Sequence, residues 1–499
     1  MTPSTRIAIL GLACFSFTLA GCGQDRHPSY STNLRYGIRQ DPIVIEPKEL
    51  GDDRYEPDRP GVLPLMNISD IQKPDHPYHK KKDRLEVALR DPRLLSDKDR
   101  ESLEKGLEEM FGTPAHPKVD IKAGEGFDPK DLDVLKVDAT TLAEGSKLYR
   151  VHCLHCHGVP GDGRGPTARW VNPHPRDFRV GLFKFQSIDR TTKDGNAELP
   201  ASRADLLRTL RQGIEGTAMP SFNLLQDKEL QDIISYVIHL GIRGKVEHWI
   251  LKTNFKPKDG TLEYDQPNEP LSNLLAEYAR TLAGYWIAAE ASENRIIVEP
   301  YPYDNNNLEQ IQASVKRGQQ IFLAQISPEF TKEHALNVVT RPIVAKRMAE
   351  ALAKKRESTQ DPKAQLTALE KAEAQKLTPA ELADAEKVAY TKESLEKAEG
   401  KLKGASCVSC HTNYGREGKY RVDTWGTLTR PNNFVMGTFR GGKRPVDIYY
   451  RIHSGINGYP MNGFGGTFKG NEEYLWDLVN FVSTLSYPPM RERLAIRID

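Results

Sequence analysis

Two copies of one five-residue pattern limit what this chain can fold into: Cys153-Leu154-His155-Cys156-His157 and Cys407-Val408-Ser409-Cys410-His411. C-x-x-C-H reads as an attachment site for a c-type haem. Two thiols add across the haem vinyl groups, and the next residue's imidazole falls where it can bind iron. A zinc site would need both clusters in one tetrahedron, and a redox C-x-x-C does not require the following histidine. The expected cofactors are therefore two covalently attached haems, with Cys153, Cys156, Cys407 and Cys410 as attachment residues and His157 and His411 as iron ligands.

The remaining two of the six cysteines, Cys14 and Cys22, lie near the start. Residues 7–19 are mostly apolar and too short to span a bilayer. The stretch Leu19-Ala20-Gly21-Cys22 then resembles a bacterial lipobox, which implies cleavage after residue 21 and lipidation of Cys22; cleavage near Ala20 as a plain signal peptide is the alternative. Both readings point to export, with a lipid anchor to the membrane on the periplasmic side under the first. Charged residues make up 28% of the chain, which excludes a polytopic membrane protein, and the net charge of +2 gives no sign of a nucleic-acid partner.

Residues 22–135 read as a tether with one local helix, capped by Ser96, carrying Leu103, Leu107, Met110 and Phe111 and closed by Gly112. His76 and His79 beside the basic run 80–82 read as a solvated face. Residues 136–245 form a first haem unit, with a helix capped by Asp138 or Thr140 leading into Cys153, another over 203–213, and an amphipathic one over 224–240. Residues 246–304 connect, adding a helix over Leu271–Glu290. Residues 305–490 repeat the plan and end in a helix over 472–485. They are interrupted over about 331–403 by a segment rich in Ala, Lys, Glu and Leu that reads as an inserted helical hairpin; Thr378-Pro379-Ala380-Glu381 is a capping box within it.

The second iron ligand decides between electron carriage and chemistry on a bound reactant. Met219 lies in Gly213-Ile214-Glu215-Gly216-Thr217-Ala218-Met219-Pro220-Ser221-Phe222. Met461 lies in Gly455-Ile456-Asn457-Gly458-Tyr459-Pro460-Met461-Asn462-Gly463-Phe464. Both share G-I-x-G-x-x-M-x-x-F, in a chain with only eight methionines. One such Met alone would read as core filling; the matched pair reads as axial ligands. His453, His174 and His239 remain as rivals. His/Met ligation raises the haem potential.

The two units resemble class I cytochrome c domains over about 143–242 and, with the insertion removed, 312–330 plus 404–487. The resemblance implies an all-α fold of two cytochrome c-like haem domains, the second with its helical insertion, preceded by the tether. It implies crossing terminal helices in each unit: Gly145 and Tyr149 on Tyr236, Gly318 and Phe322 on Trp476. It also implies that the Pro166 carbonyl accepts a hydrogen bond from His157. In the second unit Thr412 stands where a Gly is usual and no equivalent Pro follows, so what orients His411 stays open. Residues 401–499 hold 14 Lys/Arg against 8 Asp/Glu. Arg440, Lys443, Arg444 and Arg451 surround the Met461 loop and could steer an acidic partner; Arg176, Arg179, Arg440 or Arg444 could pair with haem propionates.

The expected function is a dihaem c-type cytochrome that is not an enzyme. It would pass electrons outside the cytoplasm from a quinol-oxidising complex or dehydrogenase to a terminal oxidase or similar acceptor, as a free carrier or a complex subunit. The alternative is a dihaem peroxidase-like enzyme, which needs an open or displaceable distal position.

Overall fold

Capping side chains set where most helices begin. In the computed structural model, which describes residues 28–41, 43–44, 89–191, 199–266, 268–418, 421–423, 428–494 and 496, Ser96 accepts from Asp99 N and opens Asp97–Phe111, and Asp138 accepts from Thr140 N and Thr141 N and opens Ala139–His152. The leader, Cys22, His76, His79 and the basic run 80–82 lie outside the described residues. The chain is mostly helical, and its strands, among the described residues, form three two-stranded ladders. No helix among the described residues is long and apolar enough to cross a membrane. The chain divides into two compact units. Among the described residues, one comprises 28–44, 89–181 and 222–287, and the other 182–221 and 288–496.

In the first unit Ala139–His152 crosses Asp227–Asn254 at a glycine. A Cβ on Gly145 would stand 2.1 Å from the Asp232 carbonyl oxygen, so only glycine allows the two backbones this close. One turn on, Tyr149 meets Tyr236 with ring centroids 5.2 Å apart, as the resemblance implies. The Asp227–Asn254 helix runs 14 residues past the expected end at 240. Gly241 and Gly244 do not stop it, because Trp286 and Arg179 pack on the bare backbone there and Val246, Ile250 and Leu251 continue its buried face. Of the expected tether, residues 89–135 fold into this unit. Leu103, Leu107 and Phe111 are buried, and Gly106 lets Leu275 of Leu271–Glu290 approach. The connecting stretch also holds a hairpin, Phe255–Lys258 with Thr261–Tyr264, turned by Asp259-Gly260 at φ 49° and 83°. Asp-Gly between alternating residues is a hairpin signal of the primed-turn type, which the helical reading passed over.

The second unit repeats the crossing. A Cβ on Gly318, in Leu308–Leu323, would stand 2.1 Å from the Asp477 carbonyl oxygen of Glu473–Thr484 and 2.9 Å from Phe481 Cβ. Phe322 meets Phe481 at 5.3 Å, not Trp476 as expected. Asp477 and Phe481 are one turn apart and share a face, whereas Trp476 points away from it. Trp476 packs on Tyr449 and Tyr301 and donates its indole N–H to the Glu299 carbonyl at 2.9 Å.

The insertion is one 32-residue helix, Pro328–Thr359, against which three short helices return: Ala368–Gln375, Pro379–Ala389 and Lys392–Lys403. The return is thus not the single arm of a hairpin. Thr367, Thr378 and Thr391 each cap a new start and break it into three. Ala335, Ala389 and Ala398 form a small core with Leu336, Val339 and Leu395.

The glycine crossings make a stability prediction. Gly145→Ala and Gly318→Ala should each destabilise their unit by about 1–3 kcal/mol in denaturant unfolding followed by circular dichroism. Gly400→Ala, on a helix with no atom within 4 Å of the added methyl, should instead stabilise by about 0.5–1 kcal/mol.

Candidate functional site

The Ala139–His152 helix hands over at Cys153 to a single turn, Leu154–His157, in which Cys156 N and His157 N both donate to the Cys153 carbonyl. Cys410 N and His411 N make the same two bonds to the Cys407 carbonyl. None of these four cysteines is in a disulfide, and burial pushes the Cys153 and Cys407 thiols up to about 12. The paired thiols and the following imidazole are the donor set that covalent haem attachment uses.

Each imidazole is held the same way. His157 Nδ1–H donates to the Arg176 carbonyl at 2.9 Å, and its ring stacks on Phe178 at 4.6 Å and 18°. His411 Nδ1–H donates to the Asn432 carbonyl at 3.2 Å and stacks on Phe434 at 4.6 Å and 26°. Burial pushes His157 down to about 4 and lowers His411. Both are neutral at pH 7 with the proton on Nδ1, which leaves the Nε2 lone pair for a metal. The residues present therefore fit haem iron.

The acceptor for His157 is Arg176, not Pro166. The Gly165-Pro166 turn folds back on the attachment motif's own backbone: Gly165 N bonds the Cys156 carbonyl and Thr167 N the His155 carbonyl. Pro166 is left exposed. The acceptor that was open for His411 is Asn432.

The sequence carries the signal for both acceptors in a second repeat. Pro175-Arg176-Asp177-Phe178-Arg179-Val180-Gly181 and Pro431-Asn432-Asn433-Phe434-Val435-Met436-Gly437 share P-x-[D/N]-F-x-x-G. Asp177 caps the 3-10 turn Phe178–Val180 and Asn433 caps Phe434–Met436; Gly181 and Gly437 close them at φ 69° and 70°. The cap aims the preceding carbonyl and the Phe that follows supplies the stacking ring.

The methionine loops are also built alike. Ile214 N bonds the Met219 carbonyl at 3.1 Å, and Ile456 N bonds the Met461 carbonyl at 3.1 Å. Gly213 and Gly455 open the loops at φ 66° and 73°, each end-capping a helix, Arg203–Gln212 and Pro445–Ser454. A Cβ on Gly213 would meet the Pro220 carbonyl carbon at 2.6 Å and one on Gly455 the Met461 oxygen at 2.3 Å. Met461 belongs to the same compact unit as Cys407, Cys410 and His411. Met219 belongs to that unit too, whereas Cys153, Cys156 and His157 belong to the first.

The rival histidines are engaged by protein. His453 Nδ1 lies 3.1 Å from Ser454 Oγ, its ring stacks on Tyr449, and Gly465 leaves room for it. His239 is fully buried, with Nε2 3.2 Å from the Tyr36 hydroxyl. His174 Nδ1–H donates to the Pro175 carbonyl. Two of the arginines weighed for propionates are also taken: Arg179 pairs with Asp177 at 2.8 Å and Asp41 at 2.9 Å, and Arg444 with Asp447 at 2.8 Å.

Residues 140–237 match the family described as "Cytochrome C oxidase, cbb3-type, subunit III". The chain carries a cytochrome c-type domain. Such a domain holds c-type haem covalently, serves electron transfer and works outside the cytoplasm. No curated protein matches the chain. Among solved structures, the Kuenenia stuttgartiensis reducing HAO-like protein complex Kustc0457/Kustc0458 is similar at 18% identity, covering 68% of this chain and 95% of that chain, with a TM-score of 0.36.

His239 gives a pH prediction for the unit around this domain. Burial, then the Arg243 charge, push its imidazole down to about 3, below its unfolded value of about 6.5. The unfolded chain then binds the extra proton, so stability is full above about pH 6.5 and falls as the pH drops toward 3. His239→Phe should flatten that slope by up to about 1.4 kcal/mol per pH unit, read from denaturant unfolding at pH 7, 5.5 and 4.

Proposed function

We propose that this chain is a dihaem c-type cytochrome that carries electrons between a respiratory donor and a terminal acceptor outside the cytoplasm, as a free carrier or a subunit of a larger complex. The observation that carries the reading is the duplicated proximal support. Each C-x-x-C-H histidine donates Nδ1–H to a backbone carbonyl and stacks on a phenylalanine of a P-x-[D/N]-F loop. A lone haem unit would need only one such loop.

In this reading Cys153 and Cys156 hold one haem and Cys407 and Cys410 the other. His157, His411, Met219 and Met461 would be the iron ligands. The haems supply one-electron redox chemistry when bound. The chain's part is to fix the tautomer and tilt of each imidazole, to hold each thioether on a constrained loop, and to surround the attachment sites with buried side chains. A donor that is hydrogen-bonded through Nδ1 is a better iron ligand; a thioether opposite it raises the potential. Two strong ligands per iron leave no position for a reactant, so the protein acts as a carrier and not as an enzyme. Lipidation of Cys22 would anchor it to the membrane on the periplasmic side, within reach of a quinol-oxidising complex or dehydrogenase and of a terminal oxidase.

Met219→Ala and Met461→Ala test this against a peroxidase-like enzyme. Each variant should lose part of the near-infrared methionine–iron band of the oxidised protein, and the double variant all of it. Ferrous wild type should not bind carbon monoxide, while each variant should. A wild type that already binds carbon monoxide, or reacts fast with peroxide, has an open position and supports the enzyme.

A further inference from the structure

The two P-x-[D/N]-F loops differ in what lies beneath them. In the second unit the capping residue is Asn433 and Val435 follows, so the loop is closed by neutral groups. In the first unit the same positions are Asp177 and Arg179. Arg179 is only 2% exposed. It bonds Asp177 through Nε at 3.0 Å and Nη2 at 2.8 Å, and reaches Asp41 Oδ1 at 2.9 Å.

Asp41 comes from a segment more than 100 residues before the haem motif. Arg39 pairs with the same carboxylate, and Arg164 lies 3.8 Å from it. Further bonds fasten the segment to the Asp227–Asn254 helix, among them Tyr36 OH to His239 Nε2 at 3.2 Å and Arg39 Nη1 to His248 Nδ1 at 3.0 Å. Arg39 N donates to Glu247 Oε1 at 2.5 Å, Arg243 Nη2 donates to the Gly37 carbonyl at 2.8 Å, and the Tyr36 and Tyr236 hydroxyls are 2.9 Å apart. On that helix Gly244 faces Arg179, where a Cβ would stand 2.5 Å from Arg179 Cα. The loop is thus pressed onto the helix from one side and tied by the Asp41 carboxylate.

Burial alone would raise the Asp41 carboxyl; the Arg39, Arg179 and Arg164 guanidiniums outweigh it and hold Asp41 ionised. Burial raises the Asp162 carboxyl against the pull of the Arg179 charge. The Asp41 and Asp177 carboxylates and the Arg39, Arg164 and Arg179 guanidiniums thus cluster next to the residue whose carbonyl holds His157.

We propose that Asp41, Arg39 and Arg179 are positioning residues that set the reduction potential of the haem at Cys153 and Cys156 and keep it below the value it would take without Asp41, a control the second centre lacks. The proposal rests on the reading of His157 as that iron's ligand. Two effects of Asp41 act in one direction. Its negative charge favours ferric iron, and its grip on Arg179 keeps the Arg176 carbonyl on Nδ1, which makes the imidazole a stronger donor and again favours ferric iron. A unit charge about 10 Å from a redox centre, at an effective dielectric of ~20, is worth roughly tenfold in such an equilibrium.

The test is a spectroelectrochemical titration of the full-length, haem-loaded protein, resolved into its two components. Asp41→Asn should raise one component so that the ferrous-to-ferric ratio at fixed potential increases roughly tenfold, about 59 mV. Arg39→Gln removes a positive charge and should lower the same component. Asp41→Glu should return it toward wild type. The other component should stay in place in all three. A purely structural role would lower thermal stability without moving one component in opposite directions. Unchanged components, a shift of both, or shifts of the same sign in Asp41→Asn and Arg39→Gln would overturn the proposal. If Asp41→Asn does not accumulate, the opposed behaviour of Arg39→Gln and Asp41→Glu decides. A wild type that binds no haem at Cys153 and Cys156 defeats the underlying ligand reading instead.

Discussion

A hydrogen bond from an imidazole Nδ1–H to a backbone carbonyl fixes the chemistry of each centre. It settles the tautomer, turns the ring and leaves Nε2 free. A carbonyl can do this only if its own loop is rigid. Most of the local architecture serves that end: the Asp177 or Asn433 cap, the left-handed glycine that closes the turn, and the phenylalanine against the imidazole face. The cysteines add the other requirement. They are held one turn apart at the end of a helix or in a 3-10 turn, beside the histidine that follows.

The glycine crossings place these parts. Where Gly145 meets the Asp232 carbonyl and Gly318 the Asp477 carbonyl, the backbones approach to a distance that no side chain tolerates. That contact sets the helix leading into Cys153 against the Asp227–Asn254 helix, whose later turns receive the Phe178–Val180 loop at Gly241 and Gly244. In the second unit the long insertion separates the crossing helix from Cys407 in sequence. Leu402 and Ala405, at its far end, nevertheless return to the same core as Phe322 and Phe481. Among the described residues the insertion has a small alanine-lined core of its own, so it adds length without disturbing the second unit's packing.

Much of this was legible in residue pattern. Most caps follow from short-range chemistry, a Ser or Asp before an apolar run, whereas the Gly–aromatic pairing of the first crossing is what the family resemblance implies. The misses involve residues that act through something distant. The family resemblance implies Trp476 as the partner of Phe322; the register puts Phe481 there instead and turns Trp476 to the other side. The family resemblance implies the Pro166 carbonyl as acceptor, but the Gly165-Pro166 turn braces the motif's own backbone. The true acceptors stand 19 and 21 residues beyond their histidines, in the repeat P-x-[D/N]-F-x-x-G. Asp41 was invisible as part of the site, since nothing local links a carboxylate near the chain start to an arginine at 179. The three-part return of the insertion was written in its caps, Thr367, Thr378 and Thr391, of which only Thr378 was read.

The central claim is that two porphyrins are covalently held, one by each pair of thiols. Tryptic digestion of the purified protein under acid conditions that keep thioethers, followed by mass spectrometry, addresses it most directly. The account predicts haem mass on the peptide bearing Cys153 and Cys156 and on the one bearing Cys407 and Cys410, in equal amounts. Haem on only one peptide, or free thiols on both, would contradict it.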